Sequence, residues 1–217
     1  MKQRLASFWR LLDQVPRLSD AEYLYDRGTA AGSLRAANLE RYLELMSGIG
    51  PRLMLLGEAP GYRGMTITGI PFVSRRQLAA RPGLITGDPN GDGFIEPDAG
   101  PEWEASSRVV WNALADWRGP LPISWPVYPH HPHLPGDPSS NRPPRPAEVR
   151  DGAVVALELI RAIGVETVVA VGRKAEGALA ANGVSAIAIR HPAQGGATTF
   201  TRQLAGLNGA TPGTVAG

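Results

Sequence analysis

The chain has 217 residues, 43% of them hydrophobic, and a formal charge of +2, which is enough apolar material for one domain of ordinary size with a real core. It has no cysteine, so disulfides, thiolate zinc sites and iron–sulfur clusters are excluded and only His and carboxylates remain for metal chemistry. Of its 22 basic residues 20 are arginine, whose fork suits phosphate, although a composition also rich in Ala, Gly and Pro accounts for them equally as sequence bias.

No window reaches ~18 apolar residues, and the opening MKQRLASFWRLLDQV mixes charges into an amphipathic pattern, unlike a signal peptide. A soluble cytoplasmic protein without a membrane partner is expected. Residues 3–15 place Leu5, Phe8, Trp9, Leu11, Leu12 and Val15 on one helical stripe. Ser19 with Glu22 forms a capping-box signature that predicts a second helix, and a third is expected from about Leu34 to Met46, stopped at Gly48. Pro51 leads into RLMLLG, a short continuous apolar run that reads as a buried strand of a parallel sheet. Residues 73–104 show no convincing periodic element, and helical spacing returns from Ser106 to Trp117. Trp103 and Trp111 are expected in the core. Leu121 to Tyr128 reads as a strand despite its prolines, Pro129 to Pro146 as a proline-rich loop, and Ala147 to Ile163 as a helix. Then come strand Glu166–Gly172, helix Arg173–Ala181, strand Val184–Arg190 and a helix ending near Leu207. This alternation implies right-handed crossovers and a three-layer α/β/α sandwich on a parallel sheet of about four strands. Residues 1–207 are expected to form a single domain, with 208–217 a frayed tail.

In an open parallel sheet the reactive groups gather at the carboxyl ends of the strands. Three loops qualify: GEAPGYRGMTITGIPF, PHHPHLPGDPSSNRPP and HPAQGGATTF. The strand ending at Gly172 runs into GRKAEGAL, which has no comparable polar cluster. His130, His131 and His133 suggest a metal, but proline breaks any helical ligand spacing and Asp137 is the only nearby carboxylate, so no metal is expected. The segment from Asp88 to Gly93 begins like a calcium loop, yet its twelfth position is Ala99 rather than Glu, and an ordinary turn is expected.

Together, GEAPG followed by PF, the HPH, PG and SNRPPRPAE block, and the late RHPAQGG resemble the uracil-DNA glycosylase superfamily, over roughly residues 50–205. The GEAPG and PF pattern is most similar to the branch that holds an iron–sulfur cluster on four cysteines. This chain has none, so the resemblance implies an outlying member without cluster or other cofactor. It implies a monofunctional base-excision enzyme acting on DNA, single-stranded or with a flipped-out base, as a monomer. Cleaving a base from its deoxyribose puts cationic character on the sugar and negative charge on the base, which calls for a carboxylate near the sugar and donors around the base.

By the resemblance, Glu58 aligns or activates the attacking water and His191 donates a hydrogen bond to the base carbonyl. Phe72 stacks on the extruded base, and Gly57, Ala59 and Gly61 let the backbone approach it. Gln194 sits where relatives wedge a residue into the vacated stack. Gly195 and Gly196 let the following helix N-terminus approach a phosphate, and Arg142 is expected to contact DNA. The residues themselves leave other roles open: a loop-capping Glu58, a core Phe72, a strand-capping His191. Relatives also carry an Asn, in a WN-x-x-P-x-HPH context, that reads the uracil edge. Here that base-binding position is Pro126, which has no amide side chain, and Asn141 matches a different loop asparagine of the family. Uracil specificity is therefore expected to be weak or relaxed toward other deaminated bases. A non-catalytic binder of DNA or damaged bases on the same fold, or a small-molecule hydrolase using Glu58, are the competing readings.

Overall fold

The computed structural model describes residues 2–80 and 93–208. Residues 88–92 of the calcium-like motif and the tail from 209 lie outside the described residues. In chain order the elements are α1 (Lys2–Gln14), β1 (Ala21–Glu22), α2 (Ala30–Ile49), β2 (Leu53–Gly57), α3 (Met65–Thr68), α4 (Arg75–Ala80) and α5 (Ala105–Leu114). They continue with β3 (Ile123–Pro126), β4 (His131–Pro132), α6 (Pro146–Ile163), β5 (Thr167–Val171), α7 (Arg173–Ala181), β6 (Ile187–Ile189) and α8 (Ala197–Ala205).

The continuous apolar runs become the sheet. Its order is β3-β2-β5-β6 with every pairing parallel, so β2 and β5, the two most apolar runs, lie in the middle. β6 is an edge strand and leaves Ile187 exposed. Helices flank this sheet, giving the α/β sandwich expected from the alternation. The α1 stripe buries Leu5, Phe8 and Leu12, and the helix packs on α6. Phe8 meets the fully buried Trp125 of β3 edge-on, ring centroids 5.1 Å apart. α7 lies on β5, and α8 contacts both β6 and α5. Helix ends follow local chemistry. Thr29 Oγ1 accepts from Gly32 N–H at 3.0 Å to open α2, and Glu148 accepts from Arg145 N–H at 2.5 Å to open α6 just past Pro146. Gly50 and Gly164 close those two helices in the left-handed region.

Several expectations need correction. The Ser19–Glu22 box does not start a helix; Ala21 and Glu22 form β1, antiparallel to β4, with Ala21 opposite Pro132 and Glu22 opposite His131. The reason is long-range. Asp20 is bound by Arg142 and Arg145, over 100 residues away, and ion pairs of that kind outweigh a local cap signal. The proline-rich loop thus contains a short strand, and the stretch lacking periodicity contains α4. Trp103 is 45% exposed rather than core, whereas Trp111 packs against the core and donates to Phe72 O at 2.9 Å. Asn208, assigned to the tail, is tied down: its side chain accepts from Arg118 N–H at 2.7 Å and donates to Asp116 O at 2.9 Å.

Candidate active site

Strand register brings the three loops together. Leu56 lies beside Ala170 and Ala170 beside Ala188, so Gly57, Val171 and Ile189 end their strands abreast, with Pro126 opposite Gly57 on the other flank. Residues 58 and 191 therefore leave the same end of the sheet, separated by two strand spacings, or about 10 Å. That span accommodates a base and its sugar.

Glu58 continues the β2–β3 ladder by one step, its carbonyl accepting from Tyr128 N–H at 3.1 Å. This fixes its backbone while the side chain stays 33% exposed. Among the described residues no backbone N–H donates to the carboxylate, so Glu58 does not cap its loop. Its neighbour is Lys174, with Nζ 3.6 Å from Oε1; the same ammonium donates to Pro144 O at 3.2 Å. Sequence reasoning passed over Lys174 because GRKAEGAL lacked a polar cluster. The available signal was that one of only two lysines in the chain follows the carboxyl end of a central strand.

Phe72 is half-buried, and its ring covers Gly57: a Cβ there would come within 3.0 Å of Cζ. The tight approach explains why the strand ends in glycine. Phe72 also has φ of 54° and Gln194 has φ of 52°, the two non-glycine residues in the left-handed region among those described. Such backbone costs of order 1–3 kcal/mol and persists where surroundings fix it, commonly at functional sites. Trp111 anchors Phe72 through its carbonyl.

His191 is half-buried, and its Nδ1 accepts from Ala193 N–H at 3.1 Å. The neutral ring therefore carries its proton on Nε2, a donor left over for a ligand. Burial, assisted by the Arg190 charge, lowers the imidazole pKa and favours this neutral form. Gly172 gives the ring room, since a Cβ there would lie 3.2 Å from His191 Cβ. A Cβ on Gly196 would collide with the His191 carbonyl oxygen. Gln194 and Gly195 form an exposed tip, and α8 begins just after Gly196. Ala59 packs against the core. Gly61 packs closely against Glu104, since a Cβ there would fall 2.7 Å from Glu104 Oε1.

The middle loop behaves differently. Asn141 Oδ1 accepts from Tyr62 N–H at 3.1 Å and from His131 Nε2–H at 3.2 Å, tying the first loop to the second. Its amide NH2 has no partner among the described residues. Pro126 is buried at the end of edge strand β3, where a missing N–H is tolerated. Arg142, expected to contact DNA, is committed inward: its fork meets Glu148 at 2.6 and 2.7 Å and Asp20 at 3.2 Å, and the side chain is only 10% exposed. Two buried carboxylates win it over solvent. His130, His131 and His133 are buried too, and among the described residues no three His, Asp or Glu side chains are grouped to hold a metal.

A family model described as the uracil DNA glycosylase superfamily matches residues 46–205. Among solved structures, that of wild-type Pedobacter heparinus SMUG2 has a TM-score of 0.54 and 16% identity, covering 74% of this chain and 77% of that one. No curated protein matches the sequence.

Proposed function

Because this chain belongs to the uracil DNA glycosylase superfamily, we propose that it hydrolyses the N-glycosidic bond of uracil or a related deaminated base in DNA. The observation that carries this reading is the pairing of an accessible Glu58 carboxylate with a neutral His191 that presents Nε2–H from the next loop but one. The extruded base lies on Phe72 beside Gly57. As the C1′–N bond breaks, its electron pair goes to the base, and the His191 donor stabilises the charge on the base carbonyl. Glu58 faces the sugar, offsets its developing positive charge and receives a proton from the water that adds to C1′. Lys174 holds the Glu58 carboxylate in place through Coulomb attraction. Gln194, raised on its left-handed turn, fills the gap left in the stack.

Pro126 favours a second reading, a binder of damaged bases without turnover, since it offers no amide to the base edge. Incubation with oligonucleotides holding uracil, hypoxanthine or xanthine, then alkaline scission of abasic sites, separates the two. Strand breaks at one or more of these bases are expected. Salt-dependent binding with no breaks leaves the second reading standing, and no binding at all removes both.

A further inference from the structure

A cleft of about 550 Å³ opens beside the site, bounded by Gly61, Tyr62 and Arg63 of the first loop, by Trp103, Glu104 and Arg108 around the start of α5, and by Asn141. It shares Gly61 and Asn141 with the candidate active site, and Gly61 is three residues from Glu58, at most ~10 Å of chain. Nothing in the glycosidic chemistry uses its other walls. Those walls are of one kind. Trp103 is 45% exposed, with Arg76 over its ring at 4.3 Å. The Arg63 guanidinium lies 5.1 Å from the Tyr62 ring and donates from Nε to its hydroxyl at 2.6 Å. Among the described residues, Arg63, Arg76 and Arg108 have no carboxylate partner, whereas Arg27, Arg35, Arg52, Arg142, Arg145 and Arg161 all do. The one acidic group, Glu104, turns its carboxyl under the Gly61–Gly64 turn, where Ser107 Oγ–H donates to it. Burial raises its pKa, which weakens its repulsion of an anion.

We propose that this cleft is a second nucleotide subsite, seating a nucleotide that flanks the excised one on the same strand. Trp103 and Tyr62 give its base aromatic surface that any base can use, and Arg63 and Arg108 face its phosphate. The volume lies within the ~300–1,000 Å³ common for small-ligand pockets. The unpartnered Asn141 amide, at the border of the two spaces, donates to the connecting backbone. The inference rests on the glycosylase reading for its choice of ligand, and the test keeps the two apart.

Fluorescence anisotropy measures affinity for a single-stranded oligonucleotide with a central uracil and for versions truncated stepwise from either end, alongside excision by the unmodified protein. Trp103→Ala is expected to weaken binding of the full oligonucleotide about 10-fold, within the range for losing one stacked base, and Arg108→Ala by a few-fold. Truncation from one end only should abolish both differences, so that variants and unmodified protein bind the short oligonucleotide alike. Trp103→Phe should restore most of the loss and, with Arg108→Ala, decides the matter should Trp103→Ala melt early. Unchanged affinity in all variants, with excision by the unmodified protein intact, overturns the subsite alone. A sequence-wide loss indifferent to truncation also overturns it. No binding by the unmodified protein overturns the glycosylase reading and the subsite with it.

Discussion

Two sets of loops leave the same end of the sheet and have opposite characters. After β3, His130, His131 and His133 are at most 7% exposed and Arg142 spans two carboxylates. After β2 and β6, Glu58 stays accessible, Phe72 and Gln194 hold strained left-handed backbone, and His191 keeps a free donor. The loop after β3 has the composition most suggestive of nucleic-acid contact, yet its histidines are buried and its Arg142 is bound to carboxylates. Residue type alone therefore does not mark a candidate site; burial and charge partners decide which polar groups stay available to a ligand. In the middle loop the exception is Asn141, which joins the two sets.

The contrast breaks most visibly at Arg142. Arg142→Met leaves Glu148 buried without its fork and is expected to cost about 3 kcal/mol of stability, the low end for breaking a buried pair. Urea denaturation measures it, and a loss below about 0.5 kcal/mol would place Arg142 with the surface. His130 gives an effect of similar size with pH. Neither ring nitrogen has a partner, and burial pulls its pKa down to about 4, with Arg17 acting in the same direction and Glu148 against. Between that value and the unfolded ~6.5 the unfolded chain binds more protons, so stability is full above about pH 6.5 and falls by on the order of 3 kcal/mol as pH drops toward 4. His130→Phe should remove that part of the slope; an unaltered profile would assign it elsewhere. Glu58→Gln, in the open set, should do the reverse of Arg142→Met. Turnover falls by ~10²-fold or more, while the urea midpoint and DNA affinity stay nearly constant. Full activity in that variant would take Glu58 out of the mechanism.

The sheet was legible because its strands are continuous apolar runs: RLMLLG and TVVAV became β2 and β5 with four of five residues buried in each. Helix α6 was legible from Pro146 and Glu148 at its start and Gly164 at its end. The misread positions share a cause. Ser19–Glu22 carries a sound local cap signal, but Asp20 is held by groups 122 and 125 residues away. Arg142 was read as a DNA contact for the same reason in reverse, since nothing local reveals Asp20. Lys174 reaches Glu58 only because two parallel strands end abreast, a fact of register that no window on one strand contains. Glu58, Phe72 and His191 were singled out through motif resemblance. Structure adds why they differ from their neighbours: the ring over Gly57, the tautomer set by Ala193, the carboxylate free of loop donors.

The smallest effect lies where the two sets of loops touch, at Pro126. Its Cα stands opposite Gly57, which the Phe72 ring covers, so on the proposed stacking a side chain placed there would border the edge of the base. The native proline already holds extended backbone on an edge strand, and Asn adopts the same φ, so Pro126→Asn is compatible with the fold. The free enzyme then carries a buried amide without assured partners, which should lower stability by about 1 kcal/mol. With a base bound, the amide finds the N–H and carbonyl of uracil but a mismatched edge on hypoxanthine. One such matched contact corresponds to a shift of about 10-fold in the ratio of uracil to hypoxanthine excision. Single-turnover cleavage of both substrates by both proteins measures it. A folded variant with an unchanged ratio would mean that the base edge is read from the Asn141 side, and that the closed loop contributes shape to the site but no recognition.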